Sequence, residues 1–198
     1  MADSATLYSE ALARFGELLE AAANTDLREP TAMMLATANA DGRPSVRTML
    51  LKRYDEQGFV FFTNSHSRKG RDLEENPWAS LCFFWQPLVQ QVRIEGPVEP
   101  ISAEESNSYW ATRTRDSQLG AWASHQSDPM EDRKMLEHEV AKYHDKFVNQ
   151  PVPRPPHWFG YRVIPERIEF WKSGWHRLHE RVLYEKTPAG WRKTLLHP

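Results

Sequence analysis

Cationic side chains recur in this sequence beside hydroxyls and amides, a combination suited to holding phosphate esters. Arg47 and Lys52 bracket one largely apolar stretch, and Arg68-Lys69 follow Thr63, Ser65 and Ser67 at the start of a short basic helix. Free N–H groups and the helix dipole favour anions at such a start, so two cations there are awkward for the helix but apt for a phosphate. Taken alone, Arg68-Lys69 are better explained by a solvated helix face. Tyr109, Arg113 and Ser117 are spaced by four. On a continuing helix they share a face, and a phenol, a guanidinium and a hydroxyl there suit a second phosphate. An exposed helix surface is the alternative. Gln90-Gln91 opens a strand with amides that suit a heterocycle, and Gln126-Ser127 places donors near another helix start. Residues 177–184 read as a strand, whose period of two puts Arg177, His179 and Arg181 on one face. Such a row repels itself unless an anion or an electron-rich ring lies against it; a charged edge strand that resists pairing is the competing explanation.

Other chemistries find little support. There is no G-x-G-x-x-G and no P-loop, and His138-Glu139 with His144 lacks the spacing of a zinc helix, so no metal site is expected. The one cysteine, Cys82, sits in the apolar run Leu81-Cys82-Phe83-Phe84 and reads as a core filler. No Ser/His/Asp set appears. A net charge of −2 argues against a nucleic-acid partner. Without an 18-residue apolar run or a signal-peptide pattern, neither a membrane partner nor secretion is expected. A single cysteine fits a reducing compartment, so the cytoplasm is the expected location.

The elements that must position these groups follow from periodicity. At 198 residues the chain is long enough for one domain, with an N-terminal helix in residues 1–27 ahead of a body at 28–198. Residues 4–23 carry Leu7, Ala11, Leu12, Phe15, Leu18, Leu19 and Ala22 at helical spacing. Strands are expected at 32–38, 45–53, 59–63, 78–85 and 90–100, with Gly96-Pro97 as a bulge or edge. Ser102-Ala103-Glu104-Glu105 has the capping-box pattern and opens a helix through Trp110. A short helix or turn covers 115–124. Asp128-Pro129-Met130-Glu131 predicts the start of a longer helix that runs to about residue 148. After a stiff Pro-rich connector at 151–156, strands return at 159–164, 167–171, 177–184 and 191–196. The expectation is a mainly β, α+β protein with seven or eight strands, antiparallel and closed or nearly closed, plus an N-terminal helix and a helical insertion.

Several of these segments, in order, resemble one family. Arg47-Thr48-Met49-Leu50-Leu51-Lys52, Thr63-Asn64 with Ser67-Arg68-Lys69, Gln91-Val92, and the run from Arg113 through Arg115-Asp116-Ser117-Gln118 to Gly120-Ala121-Trp122 are similar to pyridoxamine 5′-phosphate oxidases. So are Gln126-Ser127 and Trp171 with His176-Arg177-Leu178-His179-Glu180-Arg181, and the likeness extends over residues 28–198. The resemblance implies an FMN-binding split β-barrel that works as a homodimer with sites at the subunit interface. It implies oxidation of pyridoxine or pyridoxamine 5′-phosphate at C4′ to pyridoxal 5′-phosphate, by hydride transfer to flavin N5, with O₂ becoming H₂O₂. Carried over, Arg47, Thr48, Met49, Leu50, Leu51, Lys52, Phe62, Thr63, Arg68, Lys69, Gln91, Gln126, Ser127, Trp171 and Arg181 are the FMN positions. Lys52, Tyr109, Arg113 and Ser117 clamp the substrate phosphate, and Arg177 and His179 are the catalytic pair over the substrate ring. The sequence departs from the family in three ways. The chain begins almost at the first helix, so the arm that helps close the site is expected to be missing or replaced. Phe62 stands where Tyr is frequent, and Glu180 where Asp is usual. A flavin oxidase of another small ring, and a non-catalytic FMN or pyridoxal-phosphate carrier, are the alternative functions.

Overall fold

The computed structural model describes residues 4–198, with side chains from residue 6 onward. Helix α1 (Ser4–Ala23) precedes β1 (Ala32–Ala38), β2 (Pro44–Leu50), β3 (Arg53–Asp55) and β4 (Gly58–Asn64). Then come α2 (Arg68–Glu75), β5 (Trp78–Trp85) and β6 (Gln90–Pro100), followed by the helical layer α3 (Ala103–Thr112), α4 (Arg115–Ala123) and α5 (Arg133–Lys146). Strands β7 (Trp158–Val163), β8 (Arg167–Lys172), β9 (Glu180–Thr187) and β10 (Gly190–Leu195) complete the chain.

The strands form one antiparallel sheet of ten, curled into a half-barrel. This exceeds the seven or eight expected. Its main path runs β10-β9-β8-β6-β5-β1-β2, while β3, β4 and β7 form a flap joined through the far end of β6. The segment expected at 45–53 is in fact two strands, because the backbone changes partners at its middle. Leu51 N donates to Thr31 O and Lys52 N to Val60 O, both at 2.9 Å, so Lys52 stands at the step from one wall to the other. Strand β6 makes a similar step. Its Gln90–Glu95 stretch pairs with β8, whereas Val98–Pro100 pairs with β7. Gly96 sits at the switch, where an added Cβ would meet the Ile164 carbonyl oxygen at 1.9 Å.

Helix α1 fills the hollow of the curl. Phe15 is fully buried and packs edge-on against Tyr54, Phe59 and Phe83 at 4.9, 5.0 and 5.1 Å between centroids. Truncating a Phe so placed costs about 3–5 kcal/mol. The helix is also tied to the last strands. Tyr8 stacks on Trp191, Tyr184 Oη donates to Glu10 at 2.8 Å, and Arg14 lies over Phe170. A second, smaller core holds the helical layer on β7 through Trp110, Leu119, Phe147, Val152 and Trp158.

Two expected boundaries move. The long helix starts at Arg133, capped by Asp132 accepting from Lys134 N, and not at Asp128. Asp128 is instead held in a turn, where its N–H donates to His125 O after Ser127 at φ 77°. The strand expected at 177–184 begins only at Glu180. Before it, residues 175–177 form a 3₁₀ turn in which His176 and Arg177 have φ of 53° and 66°. Turn hydrogen bonds Leu178 N to Trp175 O and His179 N to Arg177 O replace the ladder, so alternation does not place Arg177 and His179 with Arg181.

The crossing at Gly96 gives a direct test. Gly96→Ala should destabilise the fold by about 3 kcal/mol, read as a lower denaturant midpoint, because the displaced neighbour is backbone and cannot rotate away.

Candidate functional site

A cavity of about 790 Å³ opens where the two walls of the curl separate beneath the helical layer. Strand β2 and its exit supply Thr48, Met49, Leu50 and Lys52 to its lining. Strand β4 supplies Phe62 and Thr63, and the segment before α5 supplies Gln126. Tyr109, Arg113 and Ser117 line it from above, although the helix expected to carry them is broken. Helix α3 stops at Thr112, Arg113 is extended, and Thr114 caps α4 by accepting from Ser117 N at 3.3 Å. The break turns the chain so that the three side chains still converge. Lys52 joins them because it follows the end of β2, where the backbone changes partners.

Among the described residues no ion pair holds Arg113. Its guanidinium lies over the rings of Trp158 and Trp110, and its Nη1 is buried with no hydrogen-bond partner. Burial holds its pKa below the ordinary guanidinium value, with Tyr109 opposing. Phe62 stacks on Tyr109 with centroids 4.0 Å apart. Thus the residue found where Tyr is frequent serves as a flat platform, with no hydroxyl to satisfy.

Behind Thr63 and Gln126, on the Lys69 side of the cavity wall, lies a second cationic cluster. Lys69 is 7 % exposed, and its ammonium donates to Gln126 Oε1 at 2.8 Å, Ser67 Oγ at 3.1 Å and Thr63 Oγ1 at 3.3 Å. All three partners are neutral. Arg47 donates to Thr37 Oγ1, Ser45 Oγ and Leu35 O, and lies 3.7 Å from the buried Asp72 carboxylate. Asp72 in turn accepts from Thr37 at 2.5 Å. Arg68 stands exposed at the first turn of α2. Burial, reinforced by Arg47 and opposed by Asp72, pushes the Lys69 pKa down to about 8. A buried cluster with more positive than negative charge fits the phosphate of FMN.

Like Arg47, Arg68 and Lys69, the remaining expected residues do not line this cavity. Leu51 is buried in the main core, and Ser127 occupies the turn after Gln126. Gln91, Trp171 and Arg181 form a row across three strands, since Gln91 faces Trp171 and Trp171 faces Arg181 in the registers. The His179 ring lies 4.7 Å from that of Trp171, and its Nδ1 accepts from Gly174 N at 3.3 Å. Arg181 donates to Glu169 at 2.8 Å, and Arg93 donates to the same carboxylate at 2.6 Å. Burial pushes Glu169 up, but the hydrogen bonds and charges of Arg181 and Arg93 outweigh it and leave the carboxyl below its ordinary value. His179 belongs to this second group, and Arg177 adjoins it in the chain, its carbonyl oxygen accepting from His179 N at 2.9 Å.

Sequence reasoning missed Trp158, Asp72 and Glu169. Trp158 follows the Pro-rich connector and carried no local signal beyond its residue type. The two carboxylates act through partners distant in the chain, which no spacing rule exposes.

The Lys69 cluster predicts a pH dependence of cofactor binding. A seated phosphate raises the lysine pKa again, so above about pH 8 association takes up a proton. FMN affinity, measured by quenching of flavin fluorescence, should therefore fall with rising pH, approaching about tenfold per pH unit above 8. Lys69→Met should bind more weakly and show no such fall.

Comparison with known proteins agrees with this architecture. Residues 158–198 match the Pyridoxine 5′-phosphate oxidase C-terminal dimerisation region. The chain is 55% identical over 194 residues to a pyridoxine/pyridoxamine 5′-phosphate oxidase of Alkalilimnicola ehrlichii, covering 97% of this chain and 99% of that one. A protein of the same name from Rubrobacter xylanophilus is 55% identical over 93% of this chain and 85% of its own. Among solved structures, PhzG from Burkholderia lata 383 in complex with tetrahydrophenazine-1-carboxylic acid superposes with a TM-score of 0.89 at 38% identity, covering 94% and 92% of the two chains. An FMN-binding protein from Nostoc punctiforme shares the fold at a TM-score of 0.68 and 19% identity, covering 100% of this chain and 99% of that one. The fold is the split barrel of these proteins. Residues 19–147, well over half the chain, match the family described as Pyridoxamine 5′-phosphate oxidase, and the chain belongs to that family.

Proposed function

We propose that this protein oxidises pyridoxine and pyridoxamine 5′-phosphate to pyridoxal 5′-phosphate, with FMN as cofactor and O₂ as oxidant. The observation that carries the reading is the convergence of Lys52, Tyr109, Arg113 and Ser117 on one cavity whose Thr63 and Gln126 side is backed by the Lys69 cluster. Two cationic clusters suit two phosphate esters, one on the cofactor and one on the substrate. The alcohol substrate loses two hydrogens to O₂, giving aldehyde and H₂O₂; the amine does the same and releases ammonia after taking up water.

FMN, when bound, supplies the hydride acceptor at N5 and passes the electrons on to O₂. The chain's own groups bind and orient. Lys69, Arg47 and Arg68 would hold the cofactor phosphate, with Thr63 and Gln126 between that end and the ring. Lys52, Tyr109, Arg113 and Ser117 would hold the substrate phosphate and so set the position of C4′, which is where most of the rate should arise. Arg177 would position the substrate ring and stabilise developing negative charge, and His179 would hydrogen-bond it or assist proton removal.

Within one chain, Arg177 and His179 do not line the cavity. We infer that they act in the cavity of a second copy, together with Gln91, Trp171 and Arg181. The match of residues 158–198 to a dimerisation region supports a homodimer with composite sites. In that arrangement each cavity is completed by the partner.

A second reading is an oxidase of another ring, favoured by the likeness to PhzG. The gathered phosphate clamp argues against it, since a ring carboxylate needs no four-residue cage. An aerobic assay with flavin-loaded protein separates the readings. Formation of pyridoxal 5′-phosphate and H₂O₂ from either vitamer is the expected result; none from either, with flavin bound, would leave the other oxidase or a carrier.

Composite sites make a sharper prediction. Arg113→Ala and Arg177→Ala should each be nearly inactive alone. Co-expressed chains that pair at random should recover about a quarter of wild-type activity, because half the dimers would contain one intact site. No recovery from verified mixed dimers would place both residues in one chain's site.

A further inference from the structure

Arg113 is fixed by an unusual means. Among the described residues no acceptor or carboxylate engages its side chain, whereas Arg47, Arg93, Arg162 and Arg181 each lie beside a carboxylate. Its guanidinium carbon lies 4.6 Å from the Trp158 ring centroid and 5.2 Å from that of Trp110. Both indoles are nearly buried and meet edge to face at 4.9 Å. Neither is free to follow the arginine. Trp110 Nε1 donates to Val152 O at 2.8 Å, and Trp158 stacks on Phe62 at 5.2 Å while its backbone joins the β4–β7 ladder.

A carboxylate would orient a guanidinium equally well, but it would cancel the charge and occupy the in-plane N–H donors. An aromatic face does neither. It attracts the cation through the ring quadrupole and leaves the donors, which lie in the guanidinium plane, unengaged. Burial by the indoles also removes water that would otherwise compete for those donors. At this point of the fold, then, charge, orientation and unused donors are kept together in one group.

We propose that Trp158, with Trp110 behind it, is a positioning residue that holds Arg113 unpaired and aimed, and thereby determines selectivity for a phosphorylated substrate. The inference rests on the phosphate clamp of the functional reading and assigns a role to two residues outside that clamp. Removing the ring should cost orientation of the arginine while leaving its charge in place. The loss should therefore fall on ligands that carry the phosphate.

The test compares Trp158→Leu and Trp158→Phe as flavin-loaded enzymes. Trp158→Leu should raise KM for pyridoxine 5′-phosphate by roughly tenfold, and Trp158→Phe by about threefold, with kcat changed much less. Pyridoxal 5′-phosphate should bind correspondingly more weakly by spectral titration, while pyridoxal without phosphate keeps its affinity. In an Arg113→Lys background, which loses the flat guanidinium, Trp158→Leu should add little. Equal losses for pyridoxal and pyridoxal 5′-phosphate, or unchanged KM in a folded variant, would overturn the proposal. Should Trp158→Leu fail to fold, Trp158→Phe and Trp110→Phe carry the test, and an unchanged KM in both would overturn it. A wild-type enzyme that oxidises neither vitamer would sink the functional reading alone, because the two titrations would still report whether the indoles select for phosphate.

Discussion

Strand β6 belongs to both walls of the curl, and the rest of the architecture depends on that sharing. One edge of its first part bonds to β5 and the other to β8, while its last residues bond to β7. A strand can change partners in this way only if the backbone bends and a neighbouring chain approaches closely, which is why Gly96 is needed at the switch. The partner change at Leu51–Lys52 is its counterpart on the other side of the cavity. Together these steps separate the walls enough to leave a space, and they deliver Lys52 to the mouth of that space.

What fills the space with purpose is positive charge buried without full compensation. Charge removed from water is costly unless it is paired. Lys69 is surrounded by neutral oxygens and Arg113 by aromatic faces, so each is held in place yet left short of an anion. Burial, reinforced by Arg47, holds the Lys69 pKa down accordingly. The Phe15 cluster and the second aromatic core offset the cost elsewhere in the fold. By contrast, Arg93 and Arg181 are both paired with the buried Glu169, on the strands beside Trp171.

Much of the fold was legible because local rules agreed with one another. The capping box at Ser102 and the strands Trp78–Trp85 and Gln90–Pro100 stand where residue pattern put them. The start of α5 was misplaced because two aspartates competed for the cap, and the tertiary turn at His125–Asp128 decided between them. The loop before β9 looked extended because Arg, His and Arg alternate there. Local turn bonds and two left-handed residues prevail instead, each at a cost of roughly 1–3 kcal/mol. For the candidate site, residue type pointed to the cations. What holds those cations could not be read, since Asp72 and Trp158 reach them across the fold.

The contacts of α1 bear on how the chain becomes structured as it is made. Glu10 is engaged by Tyr184 and Lys193, and Tyr8 by Trp191, so a helix made well before β9 and β10 docks on those strands. Until β9 and β10 emerge, the apolar stripe that carries Phe15 has only part of its binding surface. Contacts spanning nearly the whole chain slow folding and lengthen the exposure of unfinished cores. The helix that stoppers the barrel is thus synthesised before the strands that secure it, which makes the nascent chain, more than the finished protein, the state most exposed to aggregation.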